Sequence, residues 1–222
     1  MSVADNLKKI KASLPASVTL IAVSKTKPVE LIKEAYDACQ RDFGENYIQE
    51  LEDKHKQLPT DIRWHAIGHL QSNKVKYIAP FVHLVHAVDS LKLLQEINKQ
   101  ALKNNRVINC LLQIYIAKEE TKFGFSFDEC ESLFQSDELK WLKNIRVVGF
   151  MGMATNTDNE VQIRNEFHSL KNFFLKFSIL NSEFSILSMG MSSDYKIAVD
   201  EGSTMIRIGI SIFGERNYNM KL

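Results

Sequence analysis

Residues 83–117 read HLVHAVDSLKLLQEINKQALKNNRVINCLLQIYIA, and this stretch decides the fold class. Two β-rich apolar runs, HLVHAV and INCLLQIYIA, flank a helical pattern, DSLKLLQEINKQALKNN, with Asp89 or Ser90 placed as its N-cap. INCLLQIYIA is continuously apolar and partly β-branched, as a strand buried on both faces should be. Strand, helix, strand in this order is a parallel βαβ unit.

The same alternation runs outward in both directions. Upstream, VTLIAVS (18–24) precedes the helical VELIKEAYDAC. A short run at 42–44 precedes the polar helix NYIQELEDKHKQL, and IRWHAIGH precedes QSNKVKYIA. Downstream, SFDECESLFQS is the helix after INCLLQIYIA. IRVVGFMG precedes the long NEVQIRNEFHSLKNFFLKF, FSILSMGM precedes SDYKIAVDEG, and TMIRIGISIFG is the eighth run. No pair of runs is separated by the tight two-residue turn an antiparallel hairpin needs. Eight units in 222 residues leave about 28 each, close to a minimal (β/α)8 barrel, whose size range starts near ~200 residues. An open doubly wound sheet is the alternative, but it usually carries a glycine-rich nucleotide loop after its first strand. SKTKP, at 24–28, has no glycine. The expectation is α/β, a single (β/α)8 TIM barrel over residues 1–222, with no internal repeat, low-complexity tract or domain boundary.

Composition excludes several function classes. With 45% hydrophobic and 25% charged residues the chain is an ordinary globular one. Lys and Arg (28) nearly cancel Asp and Glu (27), so no concentrated basic face suggests nucleic acid or an acidic membrane as partner. MSVADNLKKIKASLP reads as an amphipathic helix rather than a signal peptide, and no run approaches the ~18 apolar residues of a membrane span. Cys39, Cys110 and Cys130 are odd in number and far apart, which disfavours a disulfide framework or thiolate zinc site. Buried or inert thiols in a reducing cytoplasm are expected.

Barrel chemistry sits at the C-terminal ends of the strands. Lys25 holds that position on the first strand, in AVSKTKP. Partial desolvation there disfavours the ammonium, and a neutral amine can attack an aldehyde to form a Schiff base. A surface lysine capping a strand is the plainer reading, and Lys27, two residues on, could be the amine instead. Two further segments suit a phosphate. In SMGMSSD (188–194), Gly190 lets backbone approach a ligand while Ser188, Ser192 and Ser193 offer hydroxyls at a helix start. In RIG (207–209), the N–H groups of Gly209 and Ile210 would point outward at a helix N-terminus. Barrels commonly bind phosphate after strands seven and eight. The plainer reading is that these glycines make tight turns, and for GFMGMA (149–154) that reading is preferred. A Schiff-base lysine on the first strand beside a phosphate cradle on the last two is what pyridoxal 5′-phosphate (PLP) requires.

AVSKTKP, FGENYIQE, WHAIGHLQSNK, KFGF, GFMGMA, LSMGMSSDYKIAV and GSTMIRIGISIFGER also carry a resemblance across essentially the whole chain. The chain resembles the pyridoxal-phosphate homeostasis protein family (YggS/PROSC), whose fold is similar to the N-terminal barrel of alanine racemase. The resemblance implies a fold-type III PLP barrel with PLP on Lys25 as a Schiff base. It also implies Asn46 of FGENY lining the cofactor site, Ser188 or Ser193 with the backbone of Gly209 and Ile210 on the phosphate, and Arg207 facing the pyridine nitrogen. An arginine cannot accept the pyridinium proton, so the ring nitrogen should stay unprotonated and the ring should be a weak electron sink. The second base of alanine racemases, a tyrosine, comes from a C-terminal domain across a dimer. This chain ends at Leu222, just after the eighth unit, with no residues left for that domain. The expected role is therefore a monomeric cytoplasmic PLP carrier or buffer with little turnover and possible apo-enzyme clients, with a racemase-like enzyme as the alternative. A scaffold for partner proteins, with PLP as a sensing ligand, ranks third because no partner motif is evident.

Four histidines, His65, His69, His83 and His86, crowd two neighbouring units, but HxxxH across a strand end is not metal-ligand spacing, and no metal is expected. Lys122 in TKFGF and Lys74 in QSNK read as solvated lysines before second amines or anion contacts. Phe167, Phe173, Phe174 and Phe177 should form the buried face of a barrel helix.

Overall fold

A computed structural model of the protein describes residues 2–119, 123–179 and 181–215. Eight parallel strands close in chain order: β1 (Thr19–Val23), β2 (Asp42–Glu45), β3 (Arg63–Ala66), β4 (Leu84–Val88), β5 (Ile108–Ile114), β6 (Ile145–Gly152), β7 (Ile186–Ser188) and β8 (Met205–Ile208). β8 returns to β1 with Thr19 opposite Met205 and Ala22 opposite Ile208, which completes the expected (β/α)8 barrel.

Helices α1 (Val3–Ala12), α2 (Val29–Asp37), α3 (Ile48–Gln57), α4 (Val75–Ile78), α5 (Leu91–Lys103), α6 (Phe127–Gln135), α7 (Asp137–Lys140), α8 (Glu160–Ser178), α9 (Tyr195–Asp200) and α10 (Ile210–Phe213) surround it. Local chemistry sets their starts. Ser2 and Asp5 form a capping box on α1, as do Ser126 and Glu129 on α6. Of the two candidates for α5, Ser90 is the cap: its hydroxyl accepts from the Leu93 N–H, and Asp89 pairs with His69 instead.

Three runs differ in detail from their sequence reading. INCLLQIYIA leaves the sheet after Ile114, because the chain loops back and exchanges hydrogen bonds between Phe125 and both Gln113 and Tyr115. Ser136 accepts from the Leu139 N–H and so starts α7, a turn that the sequence did not reveal. TMIRIGISIFG divides at Gly209, whose carbonyl accepts from the N–H groups of Ile212 and Phe213 and opens α10. Asn6 of α1 donates to the Ile212 carbonyl at 3.0 Å, so the first and last described helices are joined.

Strand alternation divides the core in two. Leu20, Ala22, Phe43, Trp64, Ile206 and Ile208 face outward beneath the helices. Ile21, Leu84, Ala87, Leu111, Val148, Met151 and Met205 fill the barrel. Phe167, Phe173 and Phe174 of α8 are buried as expected, Phe177 is partly buried, and Phe150 of β6 lies 5.1 Å from the Phe173 ring. The glycines of GFMGMA prove to be strand residues rather than turn residues. Gly149 lies inside β6 at a register shift against β5, where a Cβ would collide with the Ile186 carbonyl of β7.

Cys110 and Cys130 are buried, and burial pushes both thiols up. Cys39 is exposed, so the buried half of the buried-or-inert expectation holds for the other two thiols alone. It follows the end of α2 with a left-handed backbone (φ 63°) that turns the chain outward toward β2. Among the described residues, no helix is long and apolar enough to cross a membrane.

Candidate functional site at the C-terminal rim

Lys25 stands half-buried at the end of β1, in a turn closed by the Lys27 N–H donating to the Ser24 carbonyl at 3.0 Å. Thr26 has φ 60°, costly for a β-branched residue, and its N–H donates to the Glu50 carboxylate at 2.6 Å. Below the turn, the Lys54 ammonium of α3 donates to the Ser24 carbonyl at 2.7 Å, to Glu45 at 2.7 Å and to Glu50 at 2.6 Å. Ser24 Oγ adds a bond to Glu45 at 2.6 Å. Burial, reinforced by the nearby Glu50 charge, pushes the Glu45 carboxyl up to about 7 despite the opposing pull of Lys54 and Ser24. Lys27 is committed elsewhere: its ammonium donates to the Gly214 carbonyl at 2.9 Å and to that of Glu215. The alternative amine is thus tied to the chain beyond α10.

The two presumed phosphate segments do meet. The Gly209 N–H points at Ser192 Oγ at 3.4 Å, and the Gly209 backbone lies against Val23, where a Cβ would be 3.1 Å from the Val23 carbonyl. The end of β8 therefore borders the end of β1, two residues before Lys25. Ile210 and Ser193 are exposed beside this junction. Gly190 serves a different purpose from ligand approach. With φ 98° and its Cα pressed on α9, a Cβ there would stand 2.6 Å from the Ala198 Cβ. The Asp194 carboxylate accepts from the Met191 N–H at 2.6 Å and shapes the same loop.

Ser188 lies apart from its motif neighbours. It is fully buried inside the barrel, where its Oγ accepts from Arg207 Nη1 at 2.6 Å and lies 3.2 Å from His86 Nδ1. A hydroxyl so engaged orients Arg207, while Ser192 and Ser193 stay with the rim. Arg207, also buried, gives Nη2 to the Gly152 carbonyl at 3.2 Å. Desolvation lowers it to about 10, partly offset by Asp194, so it stays a cation at neutral pH. Asn46 follows β2 at the same rim, half-buried, where the Glu45 carbonyl accepts from the Ile67 N–H.

The histidines separate by position: His65 and His86 lie within β3 and β4, His69 and His83 outside them. His65 and His86 are buried inside the barrel with nitrogens 3.0 Å apart, and His65 Nε2 lies 3.1 Å from the Asp42 carboxylate. His69 and His83 are exposed. Among the described residues, no group of His, Cys, Asp and Glu is arranged to hold a metal ion. Lys74 lies 5.6 Å from the Tyr77 ring, and Lys122 falls outside the described residues.

Sequence reasoning missed Glu45, Lys54 and the hydrogen bond that links His65 to His86. For Lys54 a signal was available: it sits between Leu51 and Leu58 on the buried stripe of α3, where a lysine needs partners.

The rim thus combines a half-buried lysine, a cluster of hydroxyls and main-chain donors beside it, and a buried guanidinium behind. These groups suit a small aldehyde carrying a phosphate and a ring acceptor.

Comparisons with known proteins bear on the fold and the family. A family model described as "Alanine racemase, N-terminal domain" matches residues 1–217. The pyridoxal phosphate homeostasis protein of Aquifex aeolicus is 39% identical over 204 residues, covering 90% of this chain and 87% of that protein. The structure of PipY from Synechococcus elongatus without PLP superposes with a TM-score of 0.90 at 34% identity, covering 96% of this chain and all of the other. The PLP-bound form of PipY gives 0.86 at 33% identity. An alanine racemase of Clostridium difficile 630 gives 0.80 at 19% identity, covering 98% of this chain but 57% of the racemase, a likeness of fold alone.

Proposed function

The chain belongs to the pyridoxal phosphate homeostasis protein family, within the group matched by the alanine racemase N-terminal domain model, and from that premise we propose that it binds PLP at this rim and serves intracellular PLP homeostasis as a carrier or buffer. The observation that carries the proposal is the convergence of Lys25 with the Gly209–Ser192 junction on adjacent strands. When bound, PLP supplies a reactive aldehyde and an electron-accepting ring.

The residues present fit that group. Lys25 is the amine for covalent attachment, and the Ser24–Glu45–Lys54–Glu50 frame beneath it fixes its turn. The N–H groups of Gly209 and Ile210, with the hydroxyls of Ser192 and Ser193, take the phosphate. Asn46 lines the rim beside Lys25. Arg207, held in place by Ser188, would be the donor toward the ring nitrogen. A guanidinium there would leave the ring nitrogen unprotonated, which would favour holding the cofactor over turning over amino acids.

This reading supports a non-enzymatic role, a monomer in the cytoplasm, and delivery to apo-forms of PLP enzymes. Its test is reconstitution. Purified protein given PLP acquires visible absorbance, borohydride fixes the cofactor to Lys25, and Lys25→Ala loses both. A colourless protein after reconstitution overturns the proposal. An amino-acid panel in the same preparation, showing turnover no greater than free PLP, supports the carrier role.

A further inference from the structure

We propose that Asp42, His65, His86 and Ser188 form a one-way hydrogen-bond relay through the barrel that sets the donors of Arg207, making Asp42 a positioning residue for a cofactor site at the opposite end. This rests on the PLP reading above, but the relay itself is a property of the chain. Asp42 begins β2, His65 and His86 lie within β3 and β4, and Ser188 ends β7. The path therefore climbs from the N-terminal end of the barrel to the C-terminal rim while crossing its interior. All five side chains, Arg207 included, are buried.

Chemistry dictates the direction. Arg207 has protons to give and no acceptor, so Ser188 Oγ accepts from it at 2.6 Å. The hydroxyl proton of Ser188 is then free to go to His86 Nδ1, 3.2 Å away. His86 must carry its own proton on Nε2, which it gives to His65 Nδ1 at 3.0 Å. His65 must likewise carry its proton on Nε2, facing Asp42 Oδ1 at 3.1 Å. Asp42 only accepts, and Arg63 closes the chain by donating Nε to the same carboxylate at 2.7 Å along with Nη2. The opposite direction is blocked at both ends. A cation and an anion thus hold two neutral imidazoles in one tautomer each.

The surroundings favour neutrality. His65 is faced by Asp42, Arg63, His86 and the His83 ring at 5.3 Å, and His86 by His65, His83, Ser188 and Arg207. Burial holds both imidazoles below their ordinary value, and among their charged neighbours only Asp42 pulls His65 back. For Asp42, burial would raise the carboxyl, but the bonds from His65 and Arg63 outweigh it and keep the group ionised. At the lower end, Asp42 and Arg63 border a cavity of about 330 Å³ that Lys11 and Arg41 also line, so the relay ends at solvent.

The first test needs no cofactor. Nitrogen-resolved NMR of the imidazoles should find both His65 and His86 protonated at Nε2 only, without titration between about pH 6 and 8. Protonation at Nδ1 of either ring, or titration near the ordinary value, overturns the relay. The second test uses protein loaded with PLP. Ser188→Ala, His86→Phe and Asp42→Asn should each shift the visible band or its pH dependence in one direction, and Ser188→Thr should restore it. The interior control Met151→Leu should leave it unmoved. One buried hydrogen bond lost should weaken PLP binding by about tenfold in Ser188→Ala. A band indifferent to all three relay variants, or equally displaced by the control, overturns the coupling. Should wild type take up no PLP, the cofactor reading fails while the tautomers still decide the relay. Should a variant not fold, the wild-type tautomers decide it.

Discussion

The Lys54 ammonium, carried on α3, lies 2.7 Å from the main-chain oxygen of Ser24, the residue immediately before Lys25. A buried cation thus supports the turn that presents the candidate reactive amine. Lys54→Met strands the carboxylates of Glu45 and Glu50, and removing one partner of a buried ion pair costs about 3–5 kcal/mol. Unfolding free energies from denaturant curves should fall by that order at alkaline pH and by less in acid, where Glu45 takes up a proton. Lys54→Arg, which keeps the charge, should recover part of the loss, and PLP affinity should follow the same order among the three proteins.

Glu45 makes stability depend on pH with a definite sign. Its folded value of about 7 lies above its ordinary 4.5, so the native state binds more protons than the unfolded chain between those limits. The contribution is fully present below pH 4.5 and declines as pH rises through about 7. Glu45→Gln lacks this titration. The stability of wild type relative to the variant should therefore decrease from pH 5 to pH 8, by up to about 3 kcal/mol. Paired urea unfolding curves at several pH values measure it, and a flat difference would contradict the assignment.

Gly190 ties the phosphate loop to α9. Alanine there must adopt φ 98° and meet the Ala198 Cβ at 2.6 Å, a combination of strain and overpacking that costs about 1–3 kcal/mol. Gly190→Ala should lower the thermal midpoint and weaken PLP binding more than it weakens binding of unphosphorylated pyridoxal. Equal loss for both ligands would place the damage outside the phosphate loop.

Of the three thiols, only Cys39 is exposed. A thiol-reactive dye should label one cysteine per native chain and three in denaturant, and Cys39→Ser should abolish the native reaction. Rapid labelling of a second thiol in the native state would argue against the burial of Cys110 and Cys130.

The barrel was legible because its information is local: each strand declares itself by an apolar run, and each helix by period and cap. The placing of Lys25 and Gly209 at strand ends on one rim was legible for the same local reason. Ser188 and Ser192 show where that logic stops. They lie four residues apart in one motif, yet one points into the barrel and the other meets Gly209 on the rim. Ser188 is the last residue of β7, where alternation aims it inward, whereas Ser192 lies in the turn beyond the strand, where alternation no longer applies. Likewise, His65 and His86 could be seen as neighbours in sequence, but their link to Arg207 depends on three-dimensional closure. The Lys54 frame was hidden by a mostly polar helix, in which one buried lysine looks like the solvated ones.

The bond from Asn6 to the Ile212 carbonyl, with the pairing of β1 and β8, has a consequence in time. Synthesis proceeds from the N-terminus at about 5–20 residues per second. Lys25 is therefore made well before β8, the strand that pairs with β1. The aldehyde receptacle proposed above needs Gly209 at the end of β8, so it is incomplete until that strand has been made and paired with β1. A nascent or truncated chain therefore offers no complete receptacle to capture a reactive aldehyde prematurely.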